Sequence, residues 1–97
     1  MNDAERLEAA ILAMEDGLWT SAIAQLITLT TASHPPATEV SIRLLLAQAL
    51  HEDGQRDVAT LQAQQAQQLA VSLGDRGLTW KAMALLESMR IIERGQL

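Results

Sequence analysis

The sequence predicts an all-α fold, and three observations carry the prediction. Hydrophobic residues make up 48% of the 97-residue chain, yet there are two Trp, no Phe and no Tyr, with two prolines and five glycines. An Ala/Leu-rich, aromatic-poor composition of this kind favours helices. Apolar residues also recur at the i, i+3, i+4, i+7 spacing of helices that bury one face. Finally, one phrase is said twice: Glu15-Asp16-Gly17 with Ala22 returns as Glu52-Asp53-Gly54 with Ala59, in the same register and with apolar helical pattern on both sides. A Gly behind an acidic pair suits a helix C-terminus, because Gly takes the left-handed conformation without Cβ strain. The Ala five residues later lets a second helix approach closely. Each copy therefore predicts the turn of an α-hairpin, and two copies predict an internal repeat.

The first helix is expected from about Asp3 to Asp16, with Asn2 and Glu5 at capping-box spacing and Leu7, Ala10, Ile11 and Met14 as its apolar stripe. The second is expected from about Leu18 to Ser33. Leu18, Ala22, Leu26 and Leu29 form one stripe; Trp19, Ile23 and Ile27 form another beside it. No charged residue stands between Gly17 and Thr38. A helix neutral all round is usually covered all round, which a small chain can hardly do alone. His34-Pro35-Pro36 ends this helix, since proline breaks the hydrogen-bond ladder and restricts the residue before it.

Thr38 is then the expected cap of a third helix, with Glu39 in its first turn and Ile42, Leu45, Leu46, Ala49 and Leu50 facing the core. The fourth helix is expected from about Gln55 to Leu73, with Val58, Ala59, Ala66, Leu69, Ala70 and Leu73 inward and five glutamines on its solvated side. Gly74-Asp75-Arg76-Gly77 makes the next turn. A fifth helix follows from about Leu78 to Arg94, stopped by Gly95. Its core face is Leu78, Ala82, Leu85, Leu86, Met89 and Ile92. Trp80, Ala84 and Ile91 cluster on the opposite face, where a last helix normally meets water.

Ninety-seven residues fit one domain, here divided into hairpins of about 3–34 and 38–74 and a closing helix of about 78–94. A formal charge of −5 argues against nucleic acid or an anionic membrane as partner. Without Cys there is no disulfide framework or thiolate chemistry, which fits a cytoplasmic setting. Residues 1–5 lack the basic head and apolar run of a signal peptide, and no apolar stretch approaches the ~18–20 residues that span a bilayer.

Two helices, an acidic-Gly turn, then a small and a bulky apolar residue at +5 and +9 resemble the tetratricopeptide repeat. Gly17, Ala22 and Leu26 match that pattern in the first copy, and Gly54 and Ala59 in the second. Ala10 and Ala47 stand seven residues before each Gly, where the family places a small residue. Pro35 matches, one residue late, the proline that closes a repeat. The departures are a 37-residue interval between the turns, where the family uses 34, Ala63 in place of the bulky residue, and no aromatic residues in the first helices. The stretch 69–75 is similar to longer repeats common in bacterial regulators. The resemblance implies a right-handed stack of two antiparallel hairpins plus the fifth helix.

It also implies a binding groove lined by the first helix of each hairpin. Carried over from Gly17 and Gly54, that groove holds Leu7, Ile11, Met14 and Glu15, then Leu44, Gln48, His51 and Glu52. The family's carboxylate clamp of Lys, Arg and Asn finds no match at these positions. Apolar and acidic groove residues instead suit an apolar or basic helix or extended segment.

Chemistry-bearing constellations do not emerge. His51-Glu52-Asp53 are consecutive and point apart on a helix, while His34 sits among prolines, so no metal site is expected. Glu15 and Glu52 stand at solvated helix ends, and there is no Gly-rich phosphate loop, Ser-His-Asp set or Cys nucleophile. Neither catalysis nor a cofactor is expected. The expected function is protein–protein interaction, as an adaptor or small chaperone holding a protein or peptide segment. Self-association into a dimer, or a hetero-complex, is expected through Trp19, Ile23 and Ile27 or through Trp80, Ala84 and Ile91. A secretion-type chaperone and a repeat fragment of a bacterial transcriptional regulator are the alternatives.

Overall fold

Every helical segment read from the pattern forms. The computed structural model describes the backbone of residues 1–95 and the side chains of residues 1–90. Its elements are α1 (Asp3–Glu15), α2 (Trp19–Thr30), α3 (Pro36–Glu52), α4 (Arg56–Leu73) and α5 (Arg76–Gly95), and no strand occurs among the described residues. None of these helices is long and apolar enough to cross a membrane.

Local chemistry accounts for the helix ends. Asn2 caps α1: its Oδ1 accepts the Glu5 backbone N–H at 2.8 Å, satisfying one of the orphan donors of the first turn. At the other end Gly17 takes φ +72°; the Leu18 N–H donates to the Ala13 carbonyl and the Gly17 N–H to that of Met14. These two bonds make a Schellman turn. Gly54, at φ +88°, repeats it, with Gln55 N–H on the Leu50 carbonyl and Gly54 N–H on that of His51. The same pair of bonds closes α4 around Gly74.

Two helix starts and one helix end differ from expectation. Pro36, not a residue after Thr38, opens α3; at the first helical position proline's fixed φ fits and its missing N–H would be unpaired anyway. Asp75 caps α5 by accepting the Leu78 N–H at 3.0 Å, so the helix begins two residues before Leu78. α2 closes at Thr30, three residues before the expected Ser33, whereas the expected stop of α5 at Gly95 falls at the edge of the described residues.

The helices pack in chain order, each on the next, and α3 also packs on α5. The body measures 42 × 33 × 18 Å, and its short dimension admits two helix layers. Small residues set the contacts within each hairpin. Ala10 and Ala22, then Ala47 and Ala59, have no exposed surface. Larger side chains fill the space between hairpins, where Leu26, Leu29, Ile42 and Leu46 join the same core. Each such Leu or Ile contributes about 1.5–3 kcal/mol on burial. A smaller cluster of Val40, Ala66 and Ala70, flanked by Leu44, Leu69 and Leu78, ties α3, α4 and α5 together at the other end.

Polar contacts repeat with the apolar ones. Arg6 Nη1 donates to Gln25 Oε1 at 2.8 Å, from α1 to α2. Thirty-seven residues on, Arg43 Nη1 donates to Gln62 Oε1 at 3.0 Å, from α3 to α4. Turns, buried alanines and these bonds thus recur at one interval, although α3 and α4 are longer than α1 and α2.

Candidate functional site

Leu44 and Gln48 stand one turn apart on α3, and with Ser41 and Leu45 they form one wall of an open groove. Lys81 and Leu85 of α5 form the other wall, enclosing about 330 Å³. The pairing follows the repeat interval, since Lys81 stands 37 residues after Leu44 and Leu85 the same distance after Gln48. Leu45 and Leu85 are half-buried against the main core, so the groove floor is the upper side of that core. Three leucines supply an apolar surface; Ser41, Gln48 and the Lys81 ammonium supply polar groups at its edge. Such a channel accepts an apolar side chain and can hold a neighbouring carbonyl or carboxylate at the lysine.

Of the groove residues expected from the sequence, only Leu44 and Gln48 come together here. Leu7 and Met14 are half-buried against the core of the first hairpin. Ile11, Glu15 and Glu52 are exposed outside the groove. His51 is 8% exposed and thus an interior residue, a correction to its expected place on the groove. Its Nε2 has no hydrogen-bond partner among the described residues. The contribution of α5 was missed, because helical spacing identifies a face but not the helix that will lie beside it.

The charge-free α2 also divides differently from expectation. Ile23 is 9% exposed and belongs to the core, and Trp19 packs against it. Between α1 and α3, α2 is covered from two directions, so both apolar stripes find neighbours within the chain. Ile27 stays 49% exposed. Leu18, Trp19, Thr20, Ser21 and Ala24 line a shallow depression of about 600 Å³ that Asp53 borders.

On α5 the outer face is open. Trp80 is 69% exposed, and Ala84 and Met83 are exposed beside it. Ile91, expected on this face, and Ile92, expected in the core, lie outside the described side chains. Val71 and Arg76 flank Trp80 where α4 hands over to α5. Among the described residues, no group of three or more His, Asp or Glu could hold a metal ion.

No family model, curated protein or solved structure matches this chain.

Proposed function

We propose that this chain is a protein-interaction module, an adaptor or small chaperone built as a short tetratricopeptide-like stack, which holds a helical or extended segment of a partner. The observation that carries the reading is the groove between α3 and α5, where Leu44, Leu45 and Leu85 lie open beside Gln48 and Lys81. Helical-repeat scaffolds bind along surfaces of this kind, formed by equivalent helices of successive units. The occupant anchors one apolar side chain among the leucines and presents a carbonyl or carboxylate to Lys81. This ligand keeps the apolar character of the apolar or basic segment expected from the sequence but not the basic one, because α5 brings a cation to a wall that α3 alone leaves neutral.

The test is amide chemical-shift mapping with two peptide panels, both carrying a leucine anchor, one flanked by Glu and one by Lys. Binding perturbs the amides of Ser41, Leu44, Gln48, Lys81 and Leu85, prefers the Glu panel, and weakens about tenfold in Lys81→Glu, the effect of one close charge reversal. If neither panel moves these amides, or if shifts gather elsewhere, the groove is not the binding surface.

A further inference from the structure

We propose that the open face of α5 is the seat of α1 from a second copy of this chain, so that copies join head to tail. The inference rests on reading the chain as an interaction module and names one partner, and it concerns a different face from the groove.

Two helices in the chain already show what such a seat receives. On α1 and α3, the positions held by Arg6 and Ala10, then Arg43 and Ala47, face the second helix of their hairpin. One interval later the same positions are Trp80 and Ala84 on α5. Ala10 and Ala47 are fully buried; Ala84 is exposed, and Trp80 is 69% exposed. In this structure α5 is a third first-helix with its mating face uncovered.

Charge selects the occupant. Along that face run Arg76, Trp80, Met83 and Arg90, at spacings of four, three and seven residues that keep them in line on a helix. Glu87 lies among them and pairs with Arg90 at 3.5 Å. At the far end of the stack, the outer face of α1 carries Glu5, Glu8, Leu12 and Glu15, all exposed, with Leu12 at 53%. Arg6 does not offset these acids, because its guanidinium is turned to Gln25 of α2. The two ends of one molecule thus carry opposite charge around an apolar centre.

Antiparallel docking, the sense in which α2 and α4 meet their own mates, sets Glu15 beside Arg76, Leu12 against Trp80 and Met83, and Glu5 near Arg90. The contact is heterologous, so it extends into open chains of copies and does not close into a pair. One helix pair is a small interface, and its ion pairs are exposed, so association falls in the ~10–100 µM range and weakens with salt.

Sedimentation equilibrium from ~10 µM to ~1 mM brackets that affinity and tests the proposal, with the peptide titration above run on the same samples. Wild-type mass rises steadily with concentration. Arg76→Glu with Arg90→Glu, and separately Glu5→Arg with Glu15→Arg, each weaken association about tenfold or more; mixing the two variants restores it, because the reversed faces complement each other. A monomer at ~1 mM overturns the proposal. So does a closed dimer indifferent to the α1 reversal, which assigns the face to α5–α5 pairing. Groove binding by the monomeric variants survives either result, which separates failure of this contact from failure of the module reading.

Discussion

The Nε2 of His34 donates to the carbonyl oxygen of Leu29 across 2.7 Å, bridging the end of α2 and the turn that leads into α3. The last carbonyls of a helix have no partner within it, and α2 ends without a glycine. Its final residues tighten into bonds spanning three residues instead of four, Thr31 N–H to Thr28 and Ala32 N–H to Leu29, and the imidazole gives Leu29 a further donor. His34 thereby also holds the Pro35–Pro36 corner against the end of α2. Acceptance by a carbonyl requires the hydrogen to be on Nε2.

Replacing His34 with Ala removes that donor while leaving the prolines in place. A half-buried hydrogen bond of this kind contributes about 0.5–1.5 kcal/mol. We expect His34→Ala to lower the melting temperature by about 4–8 °C, the shift that ~1 kcal/mol produces in a domain of this size. Calorimetry reads it directly, and an unchanged midpoint removes the bond from the account of stability.

How far the pattern could be followed depended on whether a feature is local. Gly17 and Gly54 declare their turns because the required backbone belongs to the residue itself. Ala10, Ala22, Ala47 and Ala59 are all fully buried at the positions that the repeated phrase marks for close helix contact. Ile23 was misread, since periodicity defined its stripe but could not tell that α1 and α3 would cover α2 from two directions. On α4 the buried face is Ala59, Ala63, Ala66 and Ala70, whereas Val58 and Leu73 remain exposed; the tight approach to α3 selected size over hydrophobicity. Of the six groove residues, Leu44 and Gln48 were legible, because they belong to a repeat. Lys81 and Leu85 were not, because their helix had to be docked first. The Arg6–Gln25 and Arg43–Gln62 bonds each join residues 19 apart, a separation with no local pattern to betray it.

His51 offers a second test. It is 8% exposed and its Nε2 has no partner among the described residues, so one polar atom has left water without a replacement bond there. That desolvation costs about 1–3 kcal/mol, and an apolar residue of similar size removes the cost. His51→Leu is therefore expected to raise the urea midpoint without changing the slope of the transition. A large loss of stability instead means that the imidazole makes an interaction the folded chain depends on.

Glycine substitutions should divide by backbone and not by space. A Cβ built at Gly17 or Gly54 meets nothing within 4 Å, so crowding is absent, yet both stand at positive φ. Alanine there costs about 1–2 kcal/mol, the penalty an L-residue meets in the left-handed region. Gly77 lies inside the first turn of α5 without positive φ, and its Cβ would find only Asp75 Oδ1 at an ordinary 3.5 Å. Gly77→Ala is expected to stabilise by about 0.4–1 kcal/mol, mainly by restricting the unfolded chain. Opposite signs in parallel denaturant titrations are the required result. The same sign at all three sites contradicts the assignment of their backbones.

Ala47 and Ala84 stand one repeat interval apart, and their responses to enlargement test the repeat itself. Ala47 is fully buried at the contact of α3 with α4, which is close because alanines face it from α4. Ala47→Leu forces those helices apart, and overpacking of this kind costs about 1–3 kcal/mol. Ala84 occupies the corresponding position on α5 but is exposed. Within a single copy Ala84→Leu leaves packing untouched, and the stability change stays within about 0.5 kcal/mol, as for other surface substitutions. Measured on dilute protein, a near-neutral Ala84→Leu beside a damaging Ala47→Leu identifies α5 as a repeat helix without its mate. Equal damage at both positions means that the outer face of α5 is already packed, and the equivalence of α1, α3 and α5 then fails.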